Sequence, residues 1–202
     1  MLESPQHDFI NTELDPNLLS TLFRVQTNWH VITGAPCSGK TTIIDQLVDK
    51  GFQTVPESGR EYFEMEMAKG RTIEEIRENE ADERGMKNFQ LRIERSLPTI
   101  DTIFLDRALP DSLAYYRISG LDPNEFLAEC FRHCYASVFI LDCLPFEKNG
   151  IRTEDDIRAG LIDEWLVSDY SALGYQVVRV PVLPPQERLA FVLKRLTEQG
   201  AI

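Results

Sequence analysis

One short segment restricts the fold of this chain more than any other part of its sequence. Residues Gly34–Thr41 read GAPCSGKT and match the pattern G-x-x-x-x-G-K-[ST]. The apolar run Trp29–Thr33 precedes the segment, and Thr41–Lys50 follows it with apolar side chains at helical spacing. A strand, a glycine-rich loop and a helix in this order surround an anion with backbone N–H groups at the N-terminus of the helix. The segment therefore predicts a phosphate-binding loop that holds a nucleoside triphosphate.

The pattern gives each part of the loop an expected role. Gly34 and Gly39 allow a tight turn and a close approach of the backbone to phosphate. Lys40 would reach the β- and γ-phosphates, and the Thr41 hydroxyl would ligate Mg²⁺. We expect the nucleotide to contact the whole loop and the residue that follows it: Gly34, Ala35, Pro36, Cys37, Ser38, Gly39, Lys40, Thr41 and Thr42.

Composition limits the class of protein and its partners. The chain has 202 residues, of which 43% are hydrophobic, and this suits one α/β domain with a substantial core. Its formal net charge is −12, so its surface should repel nucleic acid and anionic membrane. No apolar run approaches the roughly 20 residues of a membrane-spanning helix, and the first residues lack the pattern of a secretion signal. We therefore expect a small-molecule substrate, with a protein partner as the other option.

The four cysteines favour a reducing compartment. Cys130, Cys134 and Cys143 lack the spacing of a zinc site, so we expect them to be core cysteines rather than metal ligands. Free thiols indicate a cytoplasmic protein.

Five short apolar runs alternate with helical patterns along the chain. The expected strands are Trp29–Thr33, Phe52–Pro56, Thr102–Asp106, Ser137–Asp142 and Gln176–Val180. Such alternation is typical of a parallel, doubly wound α/β sheet. Because right-handed crossovers place the carboxyl ends of parallel strands at one edge, Gly34, Glu57, Asp106 and Asp142 should face one crevice.

The segments between the strands carry helical periodicity. We expect helical structure over Arg60–Thr99, Leu109–Ile118, Pro123–Cys134, Thr153–Gly174 and Pro184–Leu196. Residues 1–27 are expected to be an N-terminal extension, in which Asp15 and Pro16 begin an amphipathic helix. That helix either packs on the domain of residues 28–202 or binds a partner.

Polar side chains at the crevice suggest a division of roles. Besides the Thr41 hydroxyl, a triphosphate site needs a carboxylate directed at Mg²⁺, at the end of an apolar strand. We prefer Asp106 to Asp142, because Arg107 follows it and would place a positive charge beside the transferred phosphoryl group. Glu57 would accept the proton of an acceptor hydroxyl, and Arg60 would clamp an anionic group of the substrate. The alternative is that Glu57 only stabilises a helix N-terminus and that Arg60 is a surface residue.

The polar segment of about residues 144–158 is predicted to be a lid. It contains Gly150 and lies between the fourth strand and a long helix. Closure of such a loop would exclude water and bring Arg152 or Arg158 onto the γ-phosphate. The alternative is a solvated crossover loop.

An ordered set of sequence runs resembles a known family. The runs are Val31–Thr42, Val55–Arg60, Leu105–Arg107 with Leu109–Tyr115, Pro145–Arg152, and Gly174–Val178 with Val180–Val182. In this order they resemble a family of small P-loop proteins, the AAA-like ATPases related to ribosylnicotinamide kinases. The resemblance covers most of the chain after residue 28. It implies a P-loop kinase fold with a five-stranded parallel sheet of strand order 2-3-1-4-5.

The chain is also similar to deoxynucleoside kinases. In those enzymes a glutamate after strand two acts as the base, and an Asp-Arg or Glu-Arg pair follows strand three. The similarity would give these roles to Glu57, Asp106 and Arg107. We expect the substrate to contact Glu57, Arg60, Arg107 and Asp111. No N-K-x-D motif for guanine is present, which favours ATP over GTP.

The sequence leaves two functions open. The first is a kinase that transfers the γ-phosphoryl group of Mg·ATP to a hydroxyl of a small, nucleoside-like metabolite. Its expected catalytic residues are Lys40, Asp106, Glu57, Arg107 and Arg152. Either Glu57 or Asp106 would activate the acceptor hydroxyl. The second is a nucleotide-dependent ATPase or GTPase switch that acts on a protein partner. A deep pocket beside the γ-phosphate position, lined by Glu57, Arg60 and Asp111, would favour the kinase. An exposed apolar patch on mobile helices, without such a pocket, would favour the switch.

Overall fold

The structure, a computed structural model, describes residues 10–77, 79–144 and 154–201, apart from the side chains of residues 77, 80 and 154–156. The strands are β1 (Val25–Gln26), β2 (Trp29–Thr33), β3 (Gln53–Val55), β4 (Ile103–Asp106), β5 (His133–Cys134), β6 (Ser137–Leu141) and β7 (Val177–Val180). The α-helices are α1 (Pro16–Leu19), α2 (Lys40–Asp49), α3 (Ser58–Ala68), α4 (Ile73–Arg77), α5 (Glu80–Ser96), α6 (Asp111–Ile118), α7 (Glu154–Ala172) and α8 (Pro185–Glu198). The 3₁₀ helices Pro123–Glu125 and Leu127–Phe131 lie between α6 and β5.

Parallel strands form the central sheet in the order β3-β4-β2-β6-β7. Counted along the chain within this sheet, the order is 2-3-1-4-5, as the resemblance implied. β2 lies in the middle and all of its residues are buried, since it has a strand on each side and helices on both faces. Asp106 pairs in register with Ile32. The carboxyl end of β4 therefore lies beside the start of the glycine-rich loop.

Helices cover both faces of the sheet, so the predicted doubly wound α/β fold is confirmed. On one face, Ile32 and Phe104 pack in a cluster with side chains of α2 and α8. On the other face, Val31 and Leu105 pack in a second cluster with side chains of α6 and α7. Because successive strand residues point to opposite faces, each buried strand contributes to both clusters.

The helices differ from the sequence-based expectation in two places. The region Arg60–Thr99 is divided among α3, α4 and α5, with Gly70 at a positive φ of 93° after α3 and Asn79 capping α5. The single helix expected over Pro123–Cys134 is replaced by the two short 3₁₀ helices, and its expected end is wrong, because His133 and Cys134 are extended and pair with β1. In the described ranges, no helix combines the length and apolar character that a bilayer span requires.

The described part of the N-terminal extension packs against the rest of the chain. Asp15 caps α1 by accepting a hydrogen bond of 2.8 Å from the Asn17 N–H, but α1 has only 4 residues. Apolar side chains of this region contact a third core cluster, namely Leu14, Leu18, Leu19 and Phe23. Leu22 from the same stripe is 85% exposed. The domain boundary after residue 27 remains our proposal.

A buried ion pair between α6 and α7 is expected to contribute strongly to stability. Hydrogen bonds of 2.6 and 2.9 Å join Arg117 to Asp169, and both side chains are buried. Arg117→Met leaves the carboxylate buried without its partner, so the free energy of unfolding should fall by about 3–5 kcal/mol. Urea unfolding followed by circular dichroism measures this change.

Two further variants control this prediction. Arg195→Met removes an exposed arginine that pairs with Glu198, and it should change the free energy of unfolding by less than about 1 kcal/mol. The double variant Arg117→Met/Asp169→Leu removes both buried charges and should recover part of the lost stability. A loss in Arg117→Met no larger than that in Arg195→Met would contradict the prediction.

Candidate functional site

The glycine-rich loop between β2 and α2 has the backbone conformation of an anion site. Gly34, Cys37 and Gly39 have positive φ angles of 146°, 61° and 83°. Left-handed residues in such a loop curl successive N–H groups toward one point. A Cβ atom at Gly34 would lie 2.7 Å from the carbonyl oxygen of Leu141, so only glycine fits between the loop and β6.

Lys40 is buried inside the loop. Its Nζ donates hydrogen bonds to the carbonyl oxygens of Gly34 at 2.9 Å and Ala35 at 3.1 Å, and it lies 3.4 Å from Ser38 Oγ. Burial lowers the pKa of Lys40 to about 8, and the positive charge of Arg107 adds to this shift. An ammonium group in this position can exchange its carbonyl contacts for phosphate oxygens.

Asp106 ends β4 with a carboxylate oxygen that has no hydrogen-bond partner among the residues that the structure describes. The residue is 5% exposed, and Oδ1 is the unpartnered atom. Burial raises the pKa of Asp106 to about 6, and the nearby Glu57 carboxylate adds to the shift. An unsatisfied buried carboxylate oxygen is costly, and Mg²⁺ prefers oxygen ligands of this kind. Thr41, the other predicted ligand, is exposed at the start of α2. The Asp106 oxygen thus fits the donor chemistry of Mg²⁺, and a site shared with Thr41 remains our proposal.

Arg107 connects the end of β4 to Glu57 and to the loop. Its φ of 70° is rare for a residue other than glycine, and its N–H donates to the Ile32 carbonyl oxygen at 3.1 Å. Its Nε donates to Glu57 Oε1 at 2.7 Å, and its Nη1 donates to the Gly34 carbonyl oxygen at 3.2 Å. The guanidinium carbon lies 5.1 Å from the ring centre of Tyr115. One arginine thus contacts both the phosphate loop and a carboxylate.

Glu57 precedes α3 and differs from Asp106 in the direction in which its pKa is shifted. Burial alone would raise the pKa of Glu57, but the charge and the hydrogen bond of Arg107, together with Lys40 and Arg60, hold it below its usual value. The pKa values of the two carboxylates therefore shift in opposite directions within one crevice. Such separation is typical of sites in which two acids have different roles. Arg60 itself is exposed.

Asp111 lies beneath the site. Its Oδ1 accepts hydrogen bonds from Thr33 Oγ1 and, at 3.4 Å, from Arg107 Nη1. Its Oδ2 accepts from the Ala108 N–H at 3.0 Å and from the Tyr170 hydroxyl at 2.6 Å. These donors occupy both oxygens of a buried side chain. The geometry therefore favours a role in positioning Arg107 over the expected contact with substrate.

Of the other predicted residues, Asp142 has a cationic partner and Arg152 is not described. The Asp142 carboxylate accepts a hydrogen bond of 2.7 Å from Arg179, which also contacts Asp163 at 3.0 Å. Asp142 thus has a cationic partner, whereas the Asp106 oxygen has no partner in the described part of the chain, and this difference supports the preference for Asp106. Arg152 and most of the predicted lid lie outside the described residues. All four cysteines are free, and Cys130 is buried as expected.

Sequence reasoning missed Arg188, which contacts the phosphate loop from α8. Its Nη1 donates a hydrogen bond of 2.6 Å to the Ser38 carbonyl oxygen. No local signal identifies this residue, because one arginine in an amphipathic C-terminal helix resembles any surface cation. Tyr170 of α7 was missed for the same reason, since its contact with Asp111 joins distant parts of the chain.

A parallel sheet of this order, with a phosphate loop after its central strand, defines a P-loop kinase-like fold. A family model described as an AAA domain matches residues 29–188, and the chain belongs to this family. The predicted relationship to small P-loop ATPases is therefore confirmed. No curated protein matches the sequence.

Solved structures resemble the chain at low sequence identity. The NadR protein in complex with NR has a TM-score of 0.62 and 20% identity over 87% of this chain and 52% of that chain. Thymidylate kinase from Candida albicans has a TM-score of 0.57 and 13% identity over 87% and 93%. Deoxyadenosine kinase from M. mycoides has a TM-score of 0.56 and 17% identity over 84% and 99%. These likenesses show the fold, and the chain spans about half the length of the NadR chain.

The shifted pKa values of Asp106 and Lys40 predict a pH dependence for the binding of Mg·ATP, which is our proposal for the ligand of this loop. Asp106 is ionised only above its raised pKa of about 6, and Lys40 is charged only below its lowered pKa of about 8. The affinity for Mg·ATP should therefore be highest between these values. It should fall by up to about tenfold per pH unit outside them. Titration calorimetry from pH 5 to 9 measures the profile.

Comparison with the Asp106→Asn variant distinguishes the titration of Asp106 from the titration of the nucleotide in this pH profile. Phosphate groups of the nucleotide also titrate near pH ~6. The informative quantity is therefore the ratio of the wild-type Kd to the variant Kd at each pH. As the pH falls below about 6, this ratio should rise, because only the wild type loses a carboxylate charge. Above about pH 8 the ratio should stay constant. If the Kd for Mg·ATP rises equally in both proteins as the pH falls, the role of Asp106 is contradicted.

Proposed function

We propose that this chain binds Mg·ATP and transfers the γ-phosphoryl group to a hydroxyl of a small, nucleoside-like metabolite. The observation that carries the proposal is the unpartnered, buried Asp106 oxygen beside the phosphate loop that holds Lys40. On the same edge of the sheet lies Glu57 in its pair with Arg107. Phosphoryl transfer depends on positioning and on electrostatic stabilisation more than on covalent chemistry, and these groups supply both.

On the donor side, the loop N–H groups and Lys40 would hold the phosphates. Lys40 would leave the carbonyl oxygens of Gly34 and Ala35 for the β- and γ-phosphates. Thr41 and Asp106 would ligate Mg²⁺, which when bound neutralises charge on those phosphates. Coordination would also relieve the cost of burying the Asp106 carboxylate and lower its pKa, so that it stays ionised at neutral pH.

On the acceptor side, Glu57 would orient the hydroxyl that attacks. Its lowered pKa keeps it ionised at neutral pH, and Arg107 fixes the carboxylate through Oε1. Because the transition state of phosphoryl transfer is loose, the nucleophile needs positioning more than it needs a strong base. Arg107, 3.2 Å from the Gly34 carbonyl oxygen, would stabilise charge on the transferred group. Arg60 would bind a polar or anionic part of the acceptor, and Arg152 is proposed to act from the lid.

The class of acceptor is proposed from the fold. The similar structures include a kinase named for a nucleoside and one named for a nucleotide. A nucleoside-like metabolite is therefore the class to test first. A cytoplasmic location is part of the same proposal, since the four free cysteines suit a reducing compartment.

A nucleotide-dependent switch is the second candidate. Met65 and Met67 of α3 and Ile73 of α4 are exposed apolar side chains on the segment that follows Glu57. A helix that carries such side chains and begins next to the nucleotide could report the bound state to a protein partner.

ADP formation from Mg·ATP, with and without a pooled extract of small metabolites, tests the kinase. We expect turnover that depends on the extract and falls by about 100-fold or more in Lys40→Ala and in Asp106→Asn, because each loses a group that stabilises transition-state charge. Fractionation of the extract, beginning with nucleosides, would then identify the acceptor. Slow turnover that is indifferent to the extract would overturn the kinase and favour the switch.

Glu57→Gln tests the acceptor side separately. This variant should lower the rate by about 100-fold, since the amide cannot accept the hydroxyl proton as a carboxylate does. Its Kd for Mg·ATP should change little. Glu61→Gln is the matched control, because Glu61 is an exposed carboxylate in the first turn of α3, the helix that Glu57 precedes. Equal rates in the two variants would remove Glu57 from the mechanism.

A further inference from the structure

We infer that Arg188 is a positioning residue that holds the phosphate loop in its anion-binding shape. The inference rests on the proposed function only in requiring that the loop binds phosphate. It does not depend on which acceptor is used, or on whether an acceptor is used at all.

The contacts of Arg188 join the loop to the ends of two strands. Its Nη1 donates to the Ser38 carbonyl oxygen at 2.6 Å, within the loop. Its Nη2 donates to the carbonyl oxygens of Asp142 at 2.8 Å and Val180 at 3.3 Å, and its Nε donates to that of Pro181 at 3.0 Å. The planar guanidinium thereby fixes the loop relative to the carboxyl ends of β6 and β7.

Arg188 places its positive charge beside main-chain carbonyl oxygens of the loop and of the strand ends. The four hydrogen bonds above go to main-chain carbonyl oxygens, while the Asp142 carboxylate pairs with Arg179 instead. Arg188 is only 2% exposed. In the described ranges no carboxylate contacts Arg188 at salt-bridge distance. Burial of its guanidinium is therefore costly, and phosphate groups bound in the loop would offset that cost by Coulomb attraction. Ligand and arginine should therefore stabilise each other.

Gly39 shows how closely Arg188 approaches the loop. A Cβ atom at this position would lie 3.3 Å from Arg188 Nη1, and the φ of Gly39 is 83°. The glycine therefore accommodates both the left-handed turn and the arginine.

Arg188 and Lys40 contribute to the loop in different ways. Lys40 contacts the carbonyl oxygens of Gly34 and Ala35, and it must leave them to reach a phosphate. The bond from Arg188 to Ser38 involves neither of these groups, so it can persist when phosphate binds. A hydrogen bond that holds the loop both with and without phosphate lowers the entropic cost of ordering the loop around its ligand.

Binding of inorganic tripolyphosphate and of Mg·ATP by the full chain tests the inference. Arg188→Met should raise the Kd of both ligands at least tenfold, and Arg188→Lys should recover only part of the loss, because an ammonium group cannot hold three segments together. The matched control is Arg179→Met, which removes an arginine at the same strand ends whose partners are the side chains of Asp142 and Asp163. Its Kd should stay within about twofold of wild type.

The outcomes separate positioning from general stability. Urea unfolding of each variant defines the conditions in which it is folded, and the Kd values are compared only there. A folded Arg188→Met protein with the wild-type Kd would overturn the inference, as would an equal loss in Arg179→Met. Full recovery in Arg188→Lys would also overturn it, since charge alone would then suffice. Wild-type binding of tripolyphosphate without kinase activity would reject the kinase and leave the inference standing, whereas absence of wild-type binding would reject both.

Discussion

The parallel pairing of β4 with β2 is the constraint on which the site depends. This register sets Asp106 opposite Ile32, and the pairing continues for one more bond as the Arg107 N–H donates to the Ile32 carbonyl oxygen. The backbone then turns through the left-handed conformation of Arg107. As a result, one carboxylate lies at the base of the phosphate loop, and the next side chain reaches the loop and Glu57. Asp111 stabilises this turn, because its carboxylate accepts hydrogen bonds from the Ala108 N–H and from Arg107 Nη1.

Burial gives the site its electrostatic character. Lys40 and Asp106 are taken out of water, and burial moves the pKa of each toward neutrality, to about 8 and about 6. Both groups are therefore held in a state that is unfavourable without a ligand of complementary charge. Phosphate for the lysine and a divalent cation for the carboxylate would relieve these costs together. A ligand that relieves them also stabilises the folded chain, because it binds the folded state alone.

Much of the fold could be predicted, because its signals are local. The buried strands are apolar runs bounded by turns, and the phosphate loop is a continuous motif with its strand and helix in place. Where local signals compete with distant contacts, prediction failed. His133 and Cys134 have a helical sequence context, yet they are extended because Val25 and Gln26 pair with them. Similarly, the helical region predicted over Arg60–Thr99 has no boundary at Gly70 or Asn79, although glycine commonly ends a helix and asparagine commonly begins one.

The sequence by itself determined the phosphate loop, the parallel α/β class and the position of Asp106 at a strand end, because motif and periodicity act over a few neighbouring residues. Only the tertiary structure decided how the site is held. Arg188 and Ser38 are 150 positions apart, and Tyr170 and Asp111 are 59 apart. Such contacts depend on the register of the sheet and on how helices pack across it. The same packing decides which charges lose their water, and so whether an aspartate or a lysine has a shifted pKa. No local pattern encodes that difference.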